Sequence, residues 1–197
     1  NKYGKIHIEA VDPDKSDFNV NDLRQKAEIL YSKSPFSSLF VDHMGLMNSR
    51  GKYQNTTERL NEVLRDLKRL SMSFNRGQGM AIVGLFQISR EGFKAAEKAA
   101  EKDQALYTKG PYNLTMLSYA NEAERSADIV TASYVNDELR AKNRVLFQNL
   151  KSRDQGMFKP FVSRVEWPCR RILTCDEMPT ISLKDTKEDV DKLIEAL

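Results

Sequence analysis

Three groups of residues have the types and spacing to do chemistry on an anionic ligand. The first is Asp42, which ends the apolar run Leu39-Phe40-Val41 and leads straight into His43-Met44-Gly45-Leu46-Met47. Such a run is the pattern of a strand buried on both faces, and open α/β sheets bind ligands at the C-terminal ends of their strands. A carboxylate there can hold a metal ion or one of its waters. The second is Gln87, which closes the run Met80-Ala81-Ile82-Val83-Gly84-Leu85-Phe86. If the two strands are neighbours, both side chains leave the same sheet edge, and the amide can sense a phosphate or orient a water. The bland alternatives are that Asp42 caps a turn and Gln87 bonds a loop. The third group is Lys151 and Arg153, in Leu150-Lys151-Ser152-Arg153-Asp154-Gln155-Gly156. Side chains at i and i+2 of a strand point the same way, so two cations converge, as suits a polyphosphate. A salt-bridged hairpin tip is the other reading.

Elements on either side must position these residues. Lys5 to Glu9 alternates and reads as a short strand. Asn21 can cap a helix with Leu23, Ala27 and Leu30 on its apolar side, ended by Ser34-Pro35. Asn55 and Glu58 stand in capping-box spacing ahead of Leu60, Val63, Leu64, Leu67, Leu70 and Phe74, the clearest amphipathic helix in the chain, stopped by Gly77 and Gly79. Glu91 to Gln104 predicts a helix with little apolar surface, and Leu114 to Ser126 one or two short ones. Asp128 to Tyr134 predicts a third apolar strand. Val145 to Leu150 and Phe161 to Val165 alternate like an antiparallel hairpin, followed by Ile172-Leu173. The order predicts an α/β sheet, parallel at first, with antiparallel strands added at one edge. Residues 1–175 would form the core, and 176–197 an acidic linker with a final amphipathic helix.

Composition allows one domain with an ordinary core: 197 residues, 40% hydrophobic and 30% charged. No apolar stretch is long enough to span a membrane and no signal peptide is visible. The first residue is Asn, as in a fragment or trimmed product. Cys169 and Cys175, with His7 and His43 far away, match no zinc spacing and read as reduced thiols. Asn55-Thr56-Thr57 and Asn113-Leu114-Thr115 are formal glycosylation sequons. Charge is uneven: Arg140 to Arg171 carries nine basic and two acidic residues, a balance of +7, while Ile172 to Leu197 carries seven acids and three lysines, a balance of −4. The basic block suits an anionic partner or a solvated sheet face. No G-x-x-x-x-G-K-[ST] pattern occurs in the chain, so the phosphate cradle that it builds is missing from the sequence.

The ordered set resembles the ATPase domain of DnaB-type replicative helicases, in the RecA-like group, downstream of its Walker A loop. Leu39 to Met47 resembles the Walker B strand and its continuation; Leu85-Phe86-Gln87-Ile88-Ser89-Arg90 resembles the motif with a sensor Gln followed by Arg. Glu122-Ala123-Glu124-Arg125-Ser126-Ala127-Asp128-Ile129 resembles the I-E-Q-D-A-D segment, and Lys151-Ser152-Arg153 with Gly156 the K-x-R motif before a final hairpin. The likeness runs from Lys5 to Leu173. It implies a RecA-like, mostly parallel sheet flanked by helices, with antiparallel edge strands near the C-terminus.

It also implies roles. Asp42 would hold the Mg²⁺ of ATP or its water, Gln87 would couple the γ-phosphate to DNA loops, and Arg153 would be an arginine finger beside Lys151, both acting on ATP held by the neighbouring subunit. Arg90, Tyr119 and Arg125 would touch nucleic acid. The partners implied are single-stranded DNA, further copies in a ring, typically of six, and loader or primase proteins, in the cytoplasmic replication machinery of a bacterium or virus. In the DNA-contacting loop that family often reads D-L-R-E-S-G, whereas this chain reads Met116-Leu117-Ser118-Tyr119-Ala120-Asn121. Tyr119 could stack on a base or pack at a helix end. The full-length protein is expected to be an ATP-dependent helicase and the isolated chain to be inactive. Another RecA-like ATPase, a recombinase or clock-type one, or an assembly module keeping the fold, are the alternatives.

Overall fold

The computed structural model describes residues 4–12, 17–102, 110–117, 120–154 and 156–173. Backbone contacts divide the chain after Gln87 into two units.

In the first unit, helix α1 (Val20–Lys33) is capped by Asn19, two residues before the expected Asn21. Asn19 accepts from the Asn21 N–H at 2.8 Å, and its own N–H donates to Asp22 at 3.0 Å, completing a capping box. Starting there brings Val20 into the core, where it is 4% exposed. Strand β1 (Ser38–Val41) follows. Helix α2 (Thr56–Gly77) begins at Asn55, whose side chain takes the Glu58 N–H at 2.9 Å, while the Glu58 carboxylate accepts from Gln54 rather than from the cap residue. Leu60, Val63, Leu67, Leu70 and Phe74 are all buried, at the 3–4 spacing that puts them on one stripe. Phe74 closes an aromatic cluster with Tyr31 and Phe36, with ring centroids 5.2 Å and 6.3 Å away. The helix ends through Asn75, Arg76, Gly77 and Gly79, all at positive φ. At Gly79 a Cβ would sit 3.0 Å from the Ser71 carbonyl, so glycine suits both the turn and the close approach.

Strand β2 (Ala81–Gly84) pairs in parallel with β1, from Ser38 opposite Ala81 to Val41 opposite Gly84. The expectation that these strands are buried on both faces is corrected. Burial alternates along each: Leu39, Val41, Ile82 and Gly84 are half-buried, while Ser38, Phe40, Ala81 and Val83 are exposed, Phe40 at 69%. Lys5 to Glu9 also departs from expectation. It is extended but joins no ladder, and Ile6 and Ile8 are exposed. Alternation marks a strand only where a neighbouring edge supplies the hydrogen bonds.

The second unit holds helices α3 (Arg90–Lys102), α4 (Ala120–Ser126) and α5 (Asp137–Ala141), and a four-stranded antiparallel sheet ordered β3 (Ile129–Tyr134), β4 (Arg144–Ser152), β5 (Phe161–Glu166), β6 (Arg171–Leu173). Strand β3, expected to continue the parallel series, runs antiparallel to β4 instead. Only residues 135–143 separate the two, fewer than the dozen or so that a parallel crossover needs. Helix α5, unforeseen in the sequence, is capped by Asn136 and fills that connection. Ala132, Tyr134, Leu139, Leu146 and Val162 form the core with Tyr112 and Ala96 of α3. Gln148 of β4 holds the backbone of Tyr112 on both sides, its Oε1 accepting the N–H at 3.0 Å and its Nε2 donating to the carbonyl at 2.6 Å. Burial raises the pKa of the Tyr112 hydroxyl to about 12.

Both sequon asparagines serve as caps, Asn55 on α2 and Asn113 on the turn Leu114–Met116. Cys169 is a free, exposed thiol. Among the described residues no helix is long and apolar enough to cross a membrane. Cys175 and the tail expected over 176–197 lie outside the described residues, as does Tyr119.

Candidate functional site

Asp42 and Gln87 belong to the first unit. Beyond Val41 and Gly84 the two chains stay paired: the Leu85 N–H donates to the Val41 carbonyl at 3.0 Å, and the Met44 N–H donates back to the Leu85 carbonyl at 2.9 Å. Asp42 is the first residue after β1. Gln87 is not a strand end, as expected, but stands three residues past Gly84. Both are exposed, and both follow the C-terminal ends of adjacent parallel strands.

The turn after Asp42 is fixed from three directions. His43 Nδ1 accepts the Gly45 N–H at 3.1 Å. Met44 is buried against Gly84, where a Cβ would collide with its sulfur. From α2, the Arg59 guanidinium donates to the carbonyls of Gly45, at 2.9 Å, and Met47, and lies over the Tyr53 ring at 5.9 Å. Further along the chain, Arg50 grips Asp66 of α2 through two bonds of 2.8 Å and 2.7 Å, with Arg69 at 3.1 Å from the same carboxylate. Asp66 is 6% exposed. Its hydrogen bond and charge raise the pKa of Arg50. Sequence reading missed Arg59 and the Arg50–Asp66–Arg69 cluster. Asp66 does carry a signal, since it interrupts the apolar stripe of α2 between Val63 and Leu67.

Lys151 and Arg153 belong to the second unit, at the end of β4. The sequence expectation that they point one way holds for their partners, which lie together at the C-terminal end of α4. Lys151 Nζ donates to the carbonyls of Glu124 and, at 2.6 Å, Ala127. Arg153 donates to the Arg125 carbonyl at 2.7 Å and to the Asp128 carboxylate at 2.9 Å. The Arg153 N–H also donates to the Asp128 carbonyl at 2.9 Å. The Arg153 and Asp128 side chains are 41% and 52% exposed, so the ion pair stands in water.

Other members of the basic block have partners too. The Arg140 guanidinium lies 5.0 Å from the Trp167 ring centre, Lys142 pairs with Glu138 at 3.5 Å, and Arg144 is buried. Arg90, exposed, opens α3, and Arg125, also exposed, lies in the last turn of α4.

One carboxylate beside one amide is a sparse donor set. Among the described residues no cluster of three His, Cys, Asp or Glu could hold a metal by itself. It nevertheless fits Mg²⁺, which keeps several waters and commonly takes one or two carboxylates plus phosphate oxygens. The residues present thus suit one flank of a magnesium–nucleotide site whose phosphate cradle the sequence does not contain.

Comparison with known proteins agrees with this arrangement. The family model for the DnaB-like helicase C terminal domain matches residues 5–148. Among solved structures, the chain is similar to a DnaB-like replicative helicase, described with its interactions with primase, at 22% identity and a TM-score of 0.58 over 75% of this chain and 32% of that one. It is also similar to a second solved structure, an ATPase domain, at 20% identity and a TM-score of 0.63 over 81% of this chain and 52% of that one. The chain therefore spans about a third and about half of the two proteins, and shares their RecA-like α/β fold. No curated protein matches.

Proposed function

The chain belongs to the family of DnaB-like helicase C-terminal domains, and from that premise we propose that it is part of the ATP-driven motor of a ring-shaped replicative helicase that moves on single-stranded DNA. The observation that carries the proposal is the parallel pair β1–β2, which delivers Asp42 and Gln87 to one edge of a sheet. Asp42 holds Mg²⁺ or a water bound to it, and the ion supplies neutralisation of phosphate charge. Gln87, neutral and exposed, hydrogen-bonds the γ-phosphate side of the nucleotide. Arg59, by pinning Gly45 and Met47, fixes the turn that carries Asp42.

Lys151 and Arg153 act on ATP bound by the next copy. A cation supplied in trans stabilises charge spread over the transferring phosphoryl group, and is worth about 10³–10⁵ in rate where it has been measured. Such contacts are heterologous and close into a ring, here of six copies. Single-stranded DNA is met by Arg90, Arg125 and the loop that includes Tyr119. A loader or primase is a further partner, and the setting is the cytoplasmic replication machinery of a bacterium or virus.

ATP turnover stimulated by single-stranded DNA, together with strand displacement, tests the motor in the full-length protein. Arg153→Ala is expected to abolish turnover with nucleotide binding retained, and mixing such subunits with Asp42→Asn subunits to restore part of it. Failure of every mixture refutes trans action. Stimulated turnover without strand displacement favours a different RecA-like ATPase. The missing G-x-x-x-x-G-K-[ST] pattern favours a second reading, a non-catalytic assembly module. An initiator codon directly before Asn1 would support it.

A further inference from the structure

The same two cations that face a phosphate in the proposed motor already face an anionic pole of their own unit. A helix ends with carbonyls that have no partner within the helix, and that end carries partial negative charge. At the end of α4, Lys151 and Arg153 take the carbonyls of Glu124, Arg125 and Ala127, and Asp128 adds a full charge 2.9 Å from the Arg153 guanidinium. We propose that Asp128 and the C-terminal turn of α4 are the resting seat of the Lys151–Arg153 pair, so that this seat and a polyphosphate compete for the same two cations.

Three observations carry the competition. The donors are shared: a guanidinium committed to Asp128 and the Arg125 carbonyl presents less of its fork to phosphate oxygens. The grip is light, because the Arg153–Asp128 pair is 41% and 52% exposed, and ion pairs in water hold weakly. The two cations are also held unequally. Lys151, half-buried, bonds two backbone carbonyls, whereas Arg153 bonds one carbonyl and one carboxylate. Arg153 therefore leaves first, and Asp128 is its positioning residue. Capture of the pair by phosphate strips α4 of its C-terminal cap. By linkage, whatever steadies that cap weakens phosphate capture by the same factor.

The inference rests on reading the pair as phosphate ligands, and the test separates the two. The chain is titrated with inorganic tripolyphosphate, with sodium chloride at matched ionic strength as the control. Binding is followed by calorimetry and by the Arg153 Nε–H resonance, and amide exchange is followed over α4. Binding is expected to shift the Arg153 resonance and to speed exchange of the amides that close α4. Asp128→Asn should tighten binding by about 2–5-fold, the range of an exposed ion pair, and Asp128→Glu should return it toward the original. If Asp128→Asn binds no more tightly, or if sodium chloride alone shifts the resonance and the exchange equally, the seat is refuted. If Arg153→Lys and Lys151→Met, both still folded by circular dichroism, bind tripolyphosphate as the parent does, then the phosphate reading of the pair fails and the seat with it.

Discussion

Arg59→Ala should loosen the turn that carries Asp42 while leaving α2 folded. Arg59 is one of the few side chains that tie that turn to a helix, through the carbonyls of Gly45 and Met47. A hydrogen bond from a charged donor contributes roughly 1.5–3 kcal/mol. Gly45 is half-exposed and Met47 is buried, so water replaces the lost donor at one carbonyl better than at the other. The cation–π contact with Tyr53, itself 46% exposed, adds roughly 0.5–1 kcal/mol. Full recovery at the wet carbonyl and none at the dry one leaves a local loss of about 2–3 kcal/mol. Local opening of that size corresponds to roughly 30–150-fold faster amide exchange. The amides to follow are Met44, which donates to Leu85, and Met47, which donates to Met44. Arg59→Lys should recover little, since an ammonium lacks the fork that reaches both carbonyls. Unchanged exchange at Met44 and Met47, in a variant whose helical circular dichroism matches the parent, would refute the claim that Arg59 positions this turn.

Further outcomes follow from burial and from the sign of one ionisation. Leu70→Ala, at a fully buried site on α2, should cost about 2–5 kcal/mol in the unfolding of the first unit, read by urea titration. Phe40→Ser, at a site 69% exposed, should change stability by no more than about 0.5 kcal/mol in the same titration; a larger loss would mean that its ring is covered. Gly84→Ala should cost roughly 1–3 kcal/mol by overpacking against Met44, and Met44→Ala in the same chain should recover part of it. Tyr112, with its hydroxyl pKa raised by burial from 10.0 to about 12, favours the folded state while both states are neutral. That contribution is complete below pH 10 and is lost as pH rises toward 12, so alkaline titration of the phenolate absorbance should show one late component that Tyr112→Phe removes.

The elements nearest to the chemistry were legible where one local pattern had a single physical solution. The stripe from Leu60 to Phe74 can only be one face of a helix, and Asn55, Gly77 and Gly79 mark its ends. The alternation on either side of Asp154-Gln155-Gly156 gave the hairpin of β4 and β5. Legibility failed where the outcome depended on a partner. Leu39-Phe40-Val41 reads as buried on both faces, yet Phe40 stands out in solvent beside Ser38. Lys5 to Glu9 alternates correctly but meets no edge. The direction of β3 depended on the length of the connection to β4, and periodicity within β3 does not encode it. For Lys151 and Arg153, the i, i+2 spacing gave the shared direction of the side chains and said nothing of what waits there. The carbonyl end of α4 is contributed by residues 24 to 28 positions upstream, too far for any local pattern to register.

That last contact bears directly on the trans role proposed for Arg153, and magnitudes decide between the two. A finger held inside its own subunit is useless if the hold exceeds what the transition state returns. The Arg153–Asp128 pair is exposed on both sides, so its net worth is about 0.2–1 kcal/mol. The bond to the Arg125 carbonyl adds roughly 1–3 kcal/mol, less what water returns. Against this, a rate factor of about 10³–10⁵ corresponds to roughly 4–7 kcal/mol of transition-state stabilisation. The transition state wins by a few kcal/mol, while the ground state leaves Arg153 seated. In the ring proposed here, the finger would then be withdrawn until a neighbouring phosphate calls it out. Asp128→Ala should make it available at rest, raising the basal turnover of the full-length ring without raising the maximal DNA-stimulated rate. A fall in both rates together would mean that Asp128 holds up the fold, and the seat would then have no part in timing the reaction.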